Sequence, residues 1–194
     1  MKLIIATHNA HKIQEFQRIL KPLAVEVSTA EISEAEENGS TFMENARIKA
    51  ACACAETGLP AVADDSGICV DALHGNPGIY SARYGGDGLD DKGRVQLLLS
   101  ELKGLPKEKR GAHFTSAICC VFPNGDEIQA EGRCYGEISE APVGENGFGY
   151  DPVFIQDGLC FGEISDEEKD RRSHRGQALR LFADKLKEYL HEVN

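Results

Sequence analysis

Residues 2–20 read KLIIATHNAHKIQEFQRIL, and the apolar pattern changes period inside that stretch. Leu3 to Ala6 is a short apolar run, which predicts a strand over 2–6. Thr7-His8-Asn9 is a polar turn. Ile13, Phe16, Ile19 and Leu20 then recur as the apolar stripe of a helix, with Pro22 just beyond its end. A strand that turns straight into a helix is the opening of an α/β unit.

The rest of the chain continues the theme. An acidic loop covers 31–39, and Thr41-x-x-Glu44 reads as a capping box that starts a second helix. That helix runs to about 57, where Gly58 and Pro60 stop it. Ala61-Val62-Ala63 predicts a short strand ending in Asp64-Asp65-Ser66-Gly67, with another strand over 68–73 directly after. Residues 74–88 are glycine-rich and irregular, and a third helix is expected over 89–102. Residues 114–122 and 127–138, joined at Pro123-Asn124-Gly125, predict a long β-hairpin. A second glycine-rich loop, 144–151, enters a strand over 152–155. Ser165-x-x-Glu168 marks a short helix, and Ser173 is the expected N-cap of a final helix reaching about 190. Early alternation of strands and helices with a late hairpin predicts a single α/β domain, 1–194, with a mixed, twisted sheet.

The composition excludes several classes. Of 194 residues, 41% are hydrophobic and 27% charged, unlike a disordered, collagen-like or membrane chain. The net charge of −11 gives no global attraction for nucleic acid or an anionic membrane. A polyanionic ligand must therefore meet local cations, backbone N–H groups or a metal. The seven cysteines are odd in number and form no C-x-x-C pair, so they read as reduced core thiols and not as a zinc site. Adjacent Cys119 and Cys120 should face opposite sides of a strand. The first apolar run is shorter than the ~7–15 residues of a signal-peptide core, and no run reaches the ~18 of a membrane span. The expectation is a soluble, cytoplasmic protein.

Five features break local rules. Lys12 sits in the first turn of a helix, where a cation opposes the helix dipole. It is either a solvated lysine beside an ordinary N-cap or part of an anion site at a strand-turn-helix entry. Lys49 falls on the buried stripe of its helix, seven residues after Phe42 and one turn after Asn45. It either snorkels or points at phosphate. Asp64-Asp65 closes an apolar strand, so one carboxylate faces inward. Strand-end carboxylates suit Mg²⁺, and Glu36-Glu37 offers another ligand unless it is simply solvated. Glu44 has a structural role in the capping box. Lys169, Arg171, Arg172, His174 and Arg175 form the densest cationic cluster of an acidic chain, read as anion or base-edge recognition or as partners of Asp166, Glu167 and Glu168. Gly147-Phe148-Gly149-Tyr150-Asp151 puts aromatics between glycines, as in loops that stack on nucleobases. Together these parts suit a Mg-nucleoside phosphate.

Six segments, in order, carry a resemblance. They are Ala6-Thr7-x-Asn9-x-x-Lys12-x-x-Glu15, Thr41-Phe42-x-Glu44-Asn45-Ala46-x-x-Lys49-Ala50, Ala63-Asp64-Asp65-Ser66-Gly67, Pro77-Gly78-x-Tyr80-Ser81-Ala82-Arg83, Gly147-Phe148-Gly149-Tyr150-Asp151-Pro152 and Ser173-His174-Arg175-Gly176. From about Ala6 to Ala178 the chain resembles the inosine/xanthosine triphosphate pyrophosphatase family. The resemblance implies an elongated mixed β-sheet flanked by helices, with two lobes, a central cleft holding the site, and a homodimer. It implies that Thr7, His8, Asn9, Ala10, His11 and Lys12 cradle the triphosphate. Glu37 and Asp65 would hold Mg²⁺, with Asp65 the proton acceptor, and Lys49 and Ser66 would contact substrate near the phosphates. Phe148 would stack on the base in a pocket shaped by Gly149, Tyr150 and Asp151, while Lys169, His174 and Arg175 would read its edge. The implied reaction is Mg²⁺-dependent hydrolysis of non-standard purine triphosphates (ITP, dITP, XTP) to monophosphate and pyrophosphate. Two alternatives use the same loops: a nucleotide-binding regulatory module without turnover, and an enzyme turned towards modified pyrimidine triphosphates.

Overall fold

Asn9 begins the first helix as the sequence predicts. Its side-chain oxygen accepts the N–H groups of His11 and Lys12 at 3.0 and 3.3 Å, two of the donors that a helix start leaves without partners. The computed structural model describes residues 1–23 and 25–192. Among them, β1 (Lys2–Ile5) leads through this turn into α1 (Ala10–Leu20), then β2 (Glu26–Ser28), α2 (Phe42–Thr57) and β3 (Ala61–Val70). After α3 (Asp91–Glu101) come β4 (Gly111–Val121), β5 (Glu127–Ile138), β6 (Phe154–Gln156), β7 (Leu159–Cys160), α4 (Asp166–Arg172) and α5 (His174–Glu192).

The seven strands make one sheet in the order β2-β1-β3-β4-β5-β6-β7. β1 runs parallel to both β2 and β3, with Leu3 opposite Val27 and Ile5 opposite Val62. Parallel neighbours need a crossover, and α1 and α2 supply the two. β6 is antiparallel to β5 and to β7, so the sheet is mixed, as expected.

The chain forms two compact units. The first comprises Met1–Asp65, Ser116–Gly132 and His174–Asn194, the second Ser66–Thr115 and Arg133–Ser173. In the first, α1 and α5 cover one face of the strands, where Phe16, Leu20, Leu179 and Phe182 meet Leu3, Ile5, Val62 and Ile118. α2 covers the other face with small side chains, Ala46, Ala50 and Ala53 against Ile4, Ala6, Ala61 and Ala63. Alternation along β1, β3 and β4 sends odd and even residues to different helices. Cys119 and Cys120 obey it, one in each core, and all seven cysteines are free thiols. The second unit packs Val95, Leu98 and Leu102 onto Ile68, Val70, Phe114, Phe154 and Phe161.

Several boundaries differ from the sequence reading. The stretch Asp64-Asp65-Ser66-Gly67 does not end a strand. It lies inside the ten-residue β3, which runs on to Val70. Its turn-forming residues are overruled because partners elsewhere neutralise both carboxylates, as described below. The third helix is shorter, since Asp90 caps it by accepting the N–H of Gly93 at 2.8 Å. Pro152 lies in a short 3₁₀ turn before β6. Ser173 stands directly before α5 in extended backbone, at the expected N-cap position, and also closes α4, its N–H donating to the carbonyl of Lys169 at 2.8 Å. The capping box of α2 is shifted by one residue. Thr41 Oγ1 accepts the N–H of Glu44 at 3.1 Å, but the Glu44 carboxylate turns to the N–H and hydroxyl of Ser40, both at 2.7 Å. Those bonds hold the Glu44 carboxyl below its ordinary range.

Candidate active site

Consecutive residues on β3 face opposite sides of the sheet, so Asp64 and Asp65 acquire different surroundings. Asp64 points to the α1/α5 side. Its side chain is wholly buried, and Lys12 Nζ lies 2.6 Å from Oδ2. The Arg175 guanidinium donates to both carboxylate oxygens at 3.3 Å, and the hydroxyl of Ser116 donates to Oδ1. Arg175 is also paired with Glu15, which is itself buried on α1. Burial opposes ionisation of Asp64, but Arg175 and Lys12 outweigh it and hold its carboxyl well below the usual range. Burial lowers Lys12 from the ordinary lysine value, with Asp64 opposing. This is a fixed ionic cluster tying β3, β4, α1 and α5 together.

Asp65 points to the α2 side. Lys49 Nζ lies 3.1 Å from Oδ1 and 3.3 Å from Glu37 Oε1, so one ammonium bridges two carboxylates. Asn45, one turn before Lys49 on α2, donates its Nδ2 to Asp65 Oδ2 at 3.4 Å. Here the balance goes the other way. Burial raises the carboxyl of Asp65 and Glu37 adds to the rise, against the pull of Lys49 and Lys12. Lys49 is raised, because Asp65 and Glu37 outweigh its burial. Two adjacent aspartates thus differ in kind: one is a locked anion, the other a carboxylate that its surroundings make more basic.

The turn before α1 shapes the same unit. Thr7 Oγ1 accepts the N–H of Asn9 at 3.2 Å. With the two bonds to Asn9 Oδ1, three backbone N–H groups of the 7–12 turn already have partners in the protein. A phosphate bound there shares those donors with Thr7 and Asn9.

In the second unit, Lys169 is buried with Nζ 2.6 Å from Asp151 Oδ2 and 4.3 Å from the centre of the Phe148 ring. The same Asp151 oxygen accepts the N–H of Phe148 at 2.8 Å. One carboxylate therefore fixes both the loop and the cation over its aromatic ring. Gly147 permits this: its φ is +72°, and a Cβ there would lie 2.1 Å from Asp151 Oδ2. Tyr150 is buried, and its hydroxyl donates to the carbonyl of Ser81 at 2.9 Å.

Residues 3–185 match the model of the Ham1 family. The chain belongs to the Ham1 family. It is 46% identical to the dITP/XTP pyrophosphatase of Prochlorococcus marinus, over 99% of this chain and 94% of that protein. It is 43% identical to that of Corynebacterium glutamicum, over 96% and 97%. Among solved structures, the HAM1 protein of Coxiella burnetii superposes with a TM-score of 0.89 at 38% identity, covering 97% of this chain and 99% of that one. A nucleoside-triphosphatase, dITP/XTP pyrophosphatase of Mycobacterium abscessus matches with a TM-score of 0.75 at 45% identity, over 93% and 98%.

Within this Ham1 chain, the first unit brings together Lys12, Lys49, Asp65 and Glu37 from the expected set, and the second brings together Phe148, Asp151 and Lys169. His174 and Arg175 open α5 and are buried in the first unit. Arg175 is not an open guanidinium awaiting a base. Any role at a base belongs to a group whose position Glu15 and Asp64 already fix. Ser66 follows Asp65 on β3 and is half-buried. The sequence reading gave no role to Ser116 or Glu15. Ser116 was detectable as a polar residue at a core-facing position of β4, in register of parity with Ile118 and Cys120. Glu15 carries no such local signal, because its partner lies 160 residues away.

The donor set around Lys49 suits Mg²⁺. Among the described residues no three His, Cys, Asp or Glu side chains converge on a metal position. Two carboxylates, Glu37 and Asp65, are drawn to one positive charge. Mg²⁺ is ordinarily held by one or two carboxylates, with water and substrate phosphates completing its shell.

Proposed function

We propose that this chain hydrolyses non-standard purine nucleoside triphosphates (ITP, dITP and XTP) to the nucleoside monophosphate and pyrophosphate, with Mg²⁺ as cofactor. The observation that carries the reading is the pair of neighbouring aspartates with opposite electrostatics, each answered by a lysine. The dITP/XTP pyrophosphatases among its relatives support the substrate class.

In this mechanism water attacks the α-phosphorus, its oxygen becomes part of the monophosphate, and the bond to the bridging oxygen of pyrophosphate breaks. Glu37 and Asp65 would hold Mg²⁺, which would supply charge neutralisation for the phosphates and the leaving pyrophosphate. Lys12 and Lys49 bind phosphate oxygens, and the 7–12 turn adds backbone N–H groups at a helix start. Asp65 accepts the proton of the attacking water. Its raised basicity suits that role, whereas Asp64, locked on Arg175, Lys12 and Ser116, serves as an anchor. The two Asp65 oxygens differ in partner, one on Lys49 and one on Asn45, which lets ligation and proton transfer divide between them. Ser66 contacts substrate near the phosphates. The Phe148 ring, gripped by Lys169 and by the loop through Tyr150 and Asp151, stacks on the base. Lys169, His174 and Arg175 set the edge contacts. Donors aimed at a 6-oxo group leave adenine's amine unmatched, and such sites discriminate by roughly 10⁴–10⁵.

The whole of 1–194 acts as one catalytic domain in this reading, as a homodimer and in the cytoplasm, where free thiols stay reduced. The test is pyrophosphate release from dITP, XTP, dGTP and ATP with and without Mg²⁺. Mg²⁺-dependent release from dITP and XTP alone supports both reaction and pocket. Release from all four keeps the phosphate chemistry and removes the base-edge assignments. Saturable binding without release favours the regulatory module. Sedimentation velocity tests the dimer.

A further inference from the structure

The acidic loop, residues 29–39, has no regular secondary structure of its own, yet it carries Glu37. It is laid along one side of α2. The N–H of Ser33 donates to Glu56 at 2.9 Å, Glu37 meets Lys49 at 3.3 Å, and the N–H of Gly39 donates to Asn45 Oδ1 at 2.8 Å. Residues 45, 49 and 56 fall on one helical face. The Ser33 bond is exposed to water, whereas Asn45 has no exposed surface at all.

Asn45 therefore does two things with one amide. Its oxygen accepts from the loop at Gly39, and its Nδ2 donates to Asp65 Oδ2 at 3.4 Å. An ionised aspartate accepts but does not donate, and a serine hydroxyl on the same backbone is too short to reach both partners. Gly39 is fitted to this contact, since a Cβ there would lie 2.7 Å from Asn45 Oδ1. We propose that Asn45 is a positioning residue that orients the Asp65 carboxylate and docks the Glu37 loop against α2, so that both carboxylates are presented together. The inference rests on the reading of Glu37 and Asp65 given above.

The test uses Asn45→Ala and Gly39→Ala in the full chain. In Asn45→Ala, kcat for dITP per folded molecule should fall roughly 10–100-fold, the usual range for outer-shell partners of metal ligands. The KM for dITP should move less, because the phosphate and base contacts are intact, and half-maximal activity should need more Mg²⁺. Hydrogen exchange of the substrate-free, metal-free protein gives a readout apart from turnover: peptides covering 33–40 should exchange faster in both variants. Gly39→Ala keeps the Asn45 side chain but crowds its oxygen, so the loop must move off α2, and the variant should reproduce the higher Mg²⁺ requirement. A merely structural Asn45 would lower Tm and leave kcat per folded molecule normal. Turnover and Mg²⁺ dependence of Asn45→Ala within twofold of the parent, or unchanged exchange over 33–40, would overturn the proposal. A parent protein that releases no pyrophosphate would instead overturn the reading beneath it, while the exchange result would still decide the docking of the loop.

Discussion

Asp65→Asn and Asp64→Asn change neighbouring residues by the same atom, and the structure predicts opposite outcomes. The Asp65 carboxylate is made more basic by burial and by Glu37, so its charge is not what holds β3 together. An amide keeps its shape and an acceptor for Lys49, and Lys49 keeps Glu37 at 3.3 Å. The folding free energy should fall by only about 1–2 kcal/mol, the cost of the new amide NH₂ facing the Nδ2 of Asn45. Turnover should collapse, since the proton acceptor and one proposed metal ligand are lost together. A general base alone is worth roughly 10²–10⁴ in rate, and a 10³-fold loss in kcat is about 4 kcal/mol of barrier.

Asp64→Asn leaves Arg175 and Lys12 as two buried cations facing a neutral amide. Removing one partner of a buried pair costs about 3–5 kcal/mol, and the lower end applies because Arg175 keeps Glu15. For a chain of this size, 3 kcal/mol lowers Tm by roughly 6–12 °C. The assay is pyrophosphate release at saturating dITP and Mg²⁺, paired with thermal unfolding of the same samples. Two results would refute the reasoning: an Asp65→Asn protein turning over within tenfold of the parent, or an Asp64→Asn protein as stable as Asp65→Asn.

Three further outcomes follow from other contacts. Gly147→Ala should disorder the Phe148 loop, because left-handed strain of ~1–2 kcal/mol adds to the collision with Asp151; passed to binding, that raises KM for dITP about tenfold, whereas an unchanged KM would dissociate the loop from the base. Chelation with EDTA should abolish turnover and leave Tm nearly unchanged, because Lys49 already bridges Glu37 and Asp65 and relieves their repulsion; calorimetry with and without Mg²⁺ checks it. Burial pushes the thiols of Cys119 and Cys134 up to about 12, so at pH 8 only one in ~10⁴ is thiolate. Native alkylation should mark Cys52 and Cys69 first, and equal labelling of Cys119 would contradict its place in the core.

How far the sequence can be read depends on where each residue's partner lies. Asn9, Thr41, Ser165 and Gly58 act within a few residues of themselves. Caps and stops were therefore legible, and with them the order of strands and helices. Asp64-Asp65-Ser66-Gly67 has the composition of a turn, and the apolar runs on either side of it read equally well as two strands joined there. It is strand because Lys12, Ser116 and Arg175, drawn from α1, β4 and α5, converge on Asp64. Tertiary context overrides local preference there, as it commonly does in strands. The misplaced cations obey the same logic. Lys12 and Arg175 each open a helix at the end that disfavours positive charge, and the compensation for Arg175 is a carboxylate 160 residues earlier in the chain. Local reading could therefore register each of them as an anomaly but not say what resolved it. Such anomalies point to function because a fold keeps a locally unfavourable charge only where another group answers it. In this chain the answering groups, Glu15, Asn45 and Ser116, carry no local anomaly of their own. Their partners became visible only when β3 brought Asp64 and Asp65 to opposite faces of one sheet.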